Sequence, residues 1–198
     1  MNRATPARGS SVRASTRVVH PLEPVFDGAS RVLVLGTMPS PRSRAEGFYY
    51  MHPGNRFWQV LAEVFRPDGQ EPVRVPVSAA ERRAFALAHG IALWDVLASC
   101  VITGADDASI REPVANDLSR ILRAAPIARI ATTGQTAHRL YTRLCLPQTG
   151  REAVCLPSPS GANRSVSMSN MVEAYACLRD TSGEILYHSI GQIKGTGR

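Results

Sequence analysis

The chain has 198 residues, 44% hydrophobic and 20% charged, the profile of one globular domain able to bury its own core. No apolar run approaches the about 20 residues that span a bilayer, and the N-terminus lacks the apolar segment of a secretory signal, so the expected location is the cytoplasm. The net charge of +7 and pI near 9.8 point to a polyanionic partner, but Arg3, Arg8, Arg13 and Arg17 carry four of those charges and leave +3 for the rest.

Residues 1 to 20 hold those arginines with no acid, in a Ser/Ala/Thr/Pro background, and are expected to form a disordered basic tail. Their composition also resembles an organelle transit peptide. Cys100, Cys145, Cys155 and Cys177 show no paired C-x-x-C spacing, so they read as small buried hydrophobes and no metal site is indicated.

In chain order, "RVLVLG" (Arg31 to Gly36) has the form of a buried parallel strand closed by glycine. Phe57, Val60, Leu61 and Val64 then make a helical stripe within His52 to Phe65, ahead of Pro67. Ser78-x-x-Glu81 is a capping box that opens a second helix, ended by Gly90. "IALWDVLASC" does not declare its type. A polar loop is expected from Gly104 to Glu112, then a helix capped by Asn116 or Asp117 and running through Ala125, before Pro126.

"IARIATTG" (Ile127 to Gly134) reads as a strand, Gln135 to Leu144 as a helix and "REAVCLP" (Arg151 to Pro157) as a strand. The loop "SPSGANRS" follows, then a last helix from about Ser167 to Leu178. Residues 21 to 180 are expected to form the domain, and the Gly-, Ser- and Thr-rich residues 181 to 198 a frayed tail. Strands alternating with helices imply an α/β fold with a parallel sheet and a site outside the carboxyl ends of its strands. Gly36, Gly134 and Pro157 mark those ends. The loops after the first and last are the two richest in chemistry.

Those two loops carry a resemblance. "GTMPS" followed by "GFYYMHPGNRFW", "GIALWDVLASC" with "SIREPVANDL", and "LPSPSGANRS" with "VEAYACL" occur in the order and spacing of the uracil-DNA glycosylase superfamily. Over roughly Arg31 to Arg179 the chain most closely resembles the hypoxanthine (deoxyinosine) branch. The resemblance implies a three-layer α/β/α sandwich with a central, mainly parallel sheet of about four strands. It also implies a monomeric, monofunctional glycosylase that acts on a deaminated base in double-stranded DNA, without metal or cofactor.

Such chemistry needs a flipped nucleotide held by stacking, a positioned water, donors aimed at the departing base and a wedge for the vacated stack. The resemblance puts Tyr50 in the base-stacking position, against the plainer reading of a core tyrosine beside Phe48, with Tyr49 as the other candidate. Gly36 and Thr37 belong to the base-facing turn, with Ser40 and Ser43 hydroxyls near a phosphate. Met38 stands where the uracil-excising branches keep an Asn or Asp that orients water, and a thioether orients water poorly. The resemblance passes that task to Asn55, whose alternative is to cap the helix it opens.

His52 could meet a phosphate, polarise the base or protonate it, or be a structural hydrogen-bonder. Arg56 is expected to pair structurally or meet a phosphate, and Phe57 and Trp58 to be core. Ser158 takes the place of a base-facing asparagine. The resemblance makes Ser160, Gly161, Ala162, Asn163 and Arg164 the segment that enters DNA, with Asn163 and Arg164 the candidates to fill the gap or to hydrogen-bond the orphaned partner base; read alone, "PSPSG" is a turn. Asp95 reads as a rim carboxylate or, more plainly, a satisfied structural aspartate.

Two rivals stand beside the hypoxanthine reading: a uracil or broad deaminated-base glycosylase, and a catalytically silent binder of damaged DNA. An unrelated nucleotide-binding domain would call for a glycine-rich phosphate cradle, and "GTMPS" has one glycine. A lyase step would need an amine near C1′, and the only lysine is Lys194 in the C-terminal segment.

Overall fold

The computed structural model describes residues 14–67 and 74–179. Its centre is a four-stranded parallel sheet in the order β3-β2-β6-β7, with β2 at Val32–Gly36, β3 at Ile91–Asp95, β6 at Arg129–Thr133 and β7 at Ala153–Leu156. Val32 to Leu35 and Ile91 to Leu93 are wholly buried, which is why these strands read as continuous apolar runs rather than alternating ones. Helix α2 (Phe57–Val64) packs on α7 (Met168–Tyr175), α5 (Gln135–Leu144) lies on β6 and β7, and α3 (Ala79–Ala88) lies against β3. The result is the expected α/β/α sandwich.

Local rules place the helix ends. Ser78 and Glu81 form the capping box of α3, and Ser167 caps α7 by accepting the Asn170 N–H. Two short helices, α1 (Pro41–Ala45) and α6 (Leu146–Thr149), and α4 (Ser119–Leu122) complete the set.

A second, antiparallel sheet of β1 (Thr16–Val19), β4 (Leu97–Thr103) and β5 (Asp106–Ala115), in the order β1-β4-β5, was not legible in the sequence. "IALWDVLASC" is two strands, β3 and then β4 (Leu97–Thr103), with Val96 between the sheets. The segment expected as a polar loop from Gly104 to Glu112 is largely β5 (Asp106–Ala115), which pairs with β4 around a tight turn. Its side chains are exposed or half-buried along its whole length, so backbone pairing forms the strand without an apolar pattern to announce it.

The tail expectation changes for the same reason. Thr16–Val19 forms β1, paired with Ser99 to Ile102 of β4, and Arg17 forms an ion pair with Glu112 of β5. Residues 1–13 and 180–198 lie outside the described residues. The helix expected from Asn116 or Asp117 through Ala125 contracts to α4. Asp117 accepts the Ser119 N–H at its start, whereas Asn116 is buried and donates from Nδ2 to the Asp95 and Leu97 carbonyls at 3.0 and 3.1 Å.

Because the four central strands are parallel, Gly36, Asp95, Thr133 and Leu156 end at one edge of the sheet. The loops that leave that edge enclose the site.

Candidate active site

A cavity of about 490 Å³ opens at this edge. Of the residues singled out from the sequence, Gly36, Thr37, Met38, Ser40, Ser43, Tyr49, Tyr50, Asn55, Asp95, Ser158, Ser160, Ala162 and Asn163 line it, whereas His52, Gly161 and Arg164 do not. The first loop, after β2, and the second, after β7, therefore form walls of one space.

The two walls are joined by backbone. Arg56 N–H donates to the Pro159 carbonyl at 2.9 Å, and its guanidinium donates to the Val166 and Asn163 carbonyls at 2.7 and 2.5 Å. A Cβ on Gly161 would lie 2.6 Å from the Gly54 carbonyl oxygen, so the loops touch where only glycine fits. Arg56 has the structural role foreseen for it. Phe57 and Trp58 are fully buried core.

Tyr50 is held on three sides. Its ring stacks on Phe57 with centroids 3.8 Å apart and planes 17° apart, its hydroxyl meets Thr133 Oγ1 at 3.3 Å, and its carbonyl accepts from Arg82. One ring face is thus taken, and the residue lines the cavity. Its φ of 55° is left-handed, a costly conformation for a bulky residue and one that the surrounding contacts maintain. Burial, and then the nearby Asp95 carboxylate, push its phenol well above the ordinary range, so the hydroxyl remains protonated. Tyr49 is buried, lies edge-on to Phe48 and donates to the Glu23 carbonyl, and it too reaches the cavity wall.

Asn55 lines the cavity, and its Oδ1 accepts the Phe57 N–H at 2.9 Å at the start of α2, the capping role weighed for it. Capping engages one lone pair and fixes the carboxamide; the second lone pair and the Nδ2 donors carry no partner among the described residues.

His52 is exposed, does not line the cavity and accepts the Gly54 N–H on Nδ1 at 3.1 Å. That leaves Nε2 as the nitrogen free to donate, and His52 stands apart from the cavity wall that Asn55 lines. Ser40 caps α1, and the buried Ser43 hydroxyl accepts the Met51 N–H, so both hydroxyls brace the first loop.

Asn163, expected as a wedge, spends its side chain inside the second loop: Nδ2 donates to the Ser158 carbonyl at 2.9 Å, and Oδ1 accepts from Ser165. Ser158 accepts the Ser160 N–H. Gly161, Ala162 and Arg164 are exposed along this loop, and the Arg164 side chain has no partner among the described residues.

Sequence reasoning underrated or missed several polar groups of the wall. Asp95, at the end of β3, is buried in the cavity wall and bonded to His20. Asp107, on the β4–β5 hairpin, accepts from Thr37 Oγ1 at 2.8 Å. Desolvation raises its carboxyl above the usual range, the Thr37 hydrogen bond opposes that, and Asp95 adds to it. Its only sequence signal was a polar run that looked like a loop. Thr133, which anchors Tyr50, closes β6 without any signal of its own.

No group of three or more His, Cys, Asp or Glu among the described residues could hold a metal ion, and none of the described helices is long and apolar enough to cross a membrane. Cys100 and Cys145 are buried; all four cysteines are free, and burial raises each thiol.

Comparison with known proteins agrees with this geometry. A family model described as the uracil DNA glycosylase superfamily matches residues 23–180. A hypoxanthine DNA glycosylase of Methanosarcina acetivorans is 32% identical over 156 residues, 78% of this chain and 94% of the relative. One of Methanosarcina barkeri is 30% identical over 141 residues, 71% and 85% of the two chains. A solution NMR structure from Methanosarcina acetivorans, described as a candidate uracil DNA glycosylase, superposes with a TM-score of 0.66 at 29% identity, covering 81% of this chain and 96% of that one.

Proposed function

This chain belongs to the uracil DNA glycosylase superfamily, and from that premise we propose that it hydrolyses the N-glycosidic bond of a deaminated base, hypoxanthine foremost, everted from double-stranded DNA. The observation that carries the reading is the joining of the two loops around one cavity, with Tyr50 and the braced Asn55 carboxamide on the first wall and a small-residue segment on the second. The two relatives at 32% and 30% identity support hypoxanthine as the first base to test.

The residues divide the work. The segment Ser160 to Ala162, with Arg164 behind it, occupies the space the nucleotide leaves, offsetting an unstacking cost of a few kcal/mol. Tyr50 stacks on the flipped base, a contribution of about 1–3 kcal/mol that tolerates different bases. Asn55 orients water at C1′ with the lone pair that capping leaves free. The sugar gains positive character as the base departs with the bond's electrons; water supplies the new C1′–O bond, and its proton passes to solvent or base. No residue forms a covalent intermediate, so the protein acts as a monofunctional glycosylase.

Duplexes containing inosine, uracil or xanthine, treated with alkali after incubation, test this reading. Strand cleavage at inosine is expected, and Asn55→Ala should slow single-turnover excision by about tenfold or more, a loss of roughly 1.4 kcal/mol or more of transition-state stabilisation. Asn55→Asp keeps a cap acceptor and separates loss of helix stability from loss of chemistry. A protein that shifts an abasic duplex yet leaves no alkali-labile site would be a silent binder, the reading that Met38 favours.

A further inference from the structure

The two loops do not close the cavity alone. Ile102, Gly104, Ala105 and Asp107 also line it, so the hairpin of β4 and β5 forms a further wall. The chain turns at Gly104, whose φ of 61° is left-handed, and Thr103 pairs with Asp106 across the turn. Ser109 Oγ accepts the Thr103 N–H at 2.8 Å and donates to the Asp106 carbonyl at 2.6 Å, while Asp106 Oδ1 accepts the Ala108 N–H at 3.0 Å. Strand alternation leaves Asp106 and Ala108 exposed and turns Asp107 inward, where its Oδ2 accepts from Thr37 Oγ1 at 2.8 Å.

Hydrolysis by water has to place a proton somewhere. The Asn55 carboxamide orients a water but does not take its proton. Among the described residues, the ionisable side chains that line the cavity are Arg44, Tyr49, Tyr50, Asp95 and Asp107. Arg44, on α1, offers donors only, and its guanidinium donates to the Pro39 carbonyl at 2.8 Å. Burial keeps both phenols protonated. Asp95 is engaged by His20 Nε2 at 2.8 Å. Asp107 differs, because its anchor is a neutral hydroxyl that fixes the carboxylate without neutralising it.

Burial pushes the Asp107 carboxyl up, the Thr37 hydrogen bond opposes that, and the charges of Asp95 on β3 and Asp106 on its own strand add to it. The Cys100 thiol of β4 is raised by burial and then by Asp107. The cations on neighbouring elements are Arg44 and, on β1, Arg17, which pairs with Glu112. A carboxyl raised towards the working pH is suited to taking up a proton during reaction.

We propose, resting on the function above, that Asp107 is the general base of the hydrolysis, a catalytic residue delivered by the β4–β5 hairpin, and that Thr37 is the positioning residue that fixes it. The Asp107 carboxylate takes one proton from the water that Asn55 orients as the water oxygen bonds to C1′. The glycosidic electron pair leaves with the base, which takes up a proton from solvent. Asp107 then returns its own proton to solvent.

The test uses the full chain as wild type, Asp107→Asn, Thr37→Val and Asp106→Asn. Single-turnover excision from an inosine duplex is measured from about pH 5 to about pH 9, with affinity for an abasic-site duplex as a control. Asp107→Asn keeps an acceptor for Thr37 and removes the base. At about pH 8 it should lose about 100-fold or more, the range of general-base catalysis, with abasic-site affinity unchanged. Wild type gains rate as Asp107 ionises and the variant does not, so the gap between them should close as pH falls. Thr37→Val removes the bond that favours the ionised form, so its acidic limb should lie at higher pH than that of wild type. Asp106→Asn, on the same hairpin but outside the cavity lining, should keep the alkaline rate.

An Asp107→Asn rate equal to that of wild type would overturn the proposal. So would a loss by the same factor at every pH, the mark of a carboxylate that merely braces Thr37, or a gap that widens as pH falls, the mark of an acid. If Asp107→Asn loses abasic-site affinity, Thr37→Val decides, and an unmoved acidic limb overturns the proposal. A wild type that leaves no alkali-labile site at inosine at any pH overturns the glycosylase reading and this proposal together, whereas an active wild type matched by Asp107→Asn overturns this proposal alone.

Discussion

Gly161 shows how much one exposed residue can determine. Substitutions at exposed sites usually change stability by about 0.5 kcal/mol or less. Here a Cβ would press on the Gly54 carbonyl oxygen at 2.6 Å, with the Gly54 carbonyl carbon and Cα at 3.2 and 3.4 Å, and backbone on both sides cannot rotate away. Gly161→Ala is therefore expected to cost about 1–3 kcal/mol, the range of overpacking, read as a lower urea midpoint, and to widen the cavity mouth. Ala162→Ser, its exposed neighbour, should leave the midpoint in place. At this scale the sequence was most legible where a side chain has one job, as with Arg56, a structural tie between the loops. It was least legible where partners are remote in the chain. Nothing in "LWDV" shows that Asp95 meets a histidine 75 residues earlier, and nothing in "GADDAS" shows that Asp107 folds back onto Thr37.

Whole elements follow the same division. Helix α3 was legible from Ser78 and Glu81 because a capping box is entirely local: Glu81 N–H donates to Ser78 Oγ at 3.2 Å, and Glu81 Oε2 accepts the Ser78 and Val77 N–H groups at 3.0 and 3.1 Å. Strands β1 and β5 were not legible, because each is recruited by β4 through backbone hydrogen bonds and leaves its side chains largely in solvent. The capping box makes a pH prediction. The backbone hydrogen bonds from Ser78 and then Val77, ahead of the hydroxyl of Ser78 and the charge of Arg74, hold the Glu81 carboxyl down at about 2, against an ordinary 4.5. A depressed carboxyl stabilises the fold fully above its unfolded value and loses that contribution as pH falls through its folded one. The difference in urea midpoint between wild type and Glu81→Gln should therefore be largest above pH 4.5 and shrink towards pH 2. Ser78→Ala, which removes the other half of the box, should cost about 1 kcal/mol near neutrality.

At the scale of the whole molecule, the parallel sheet fixes where the loops begin, but one residue fixes how they meet. The sheet was readable because Val32 to Leu35 are buried on both faces; the joining of the loops was not, because it runs through the carbonyls of Pro159, Asn163 and Val166, which no side-chain pattern encodes. Arg56 contributes its N–H and two guanidinium donors to those carbonyls, and its planar fork reaches two of them at once. Arg56→Ala removes both charge-assisted bonds and leaves the carbonyls to water, at a cost of about 2 kcal/mol in a half-buried setting. Arg56→Lys should recover little, since an ammonium cannot span both acceptors. If the two loops clamp DNA as a unit, these variants should lose affinity for an abasic-site duplex by about tenfold or more while the sheet stays folded, and hydrogen exchange should quicken in the second loop, residues 158–166, but not at Val32 to Leu35. Exchange that quickens equally in loop and sheet would mean that Arg56 supports the fold at large, and that the second loop keeps its place without it.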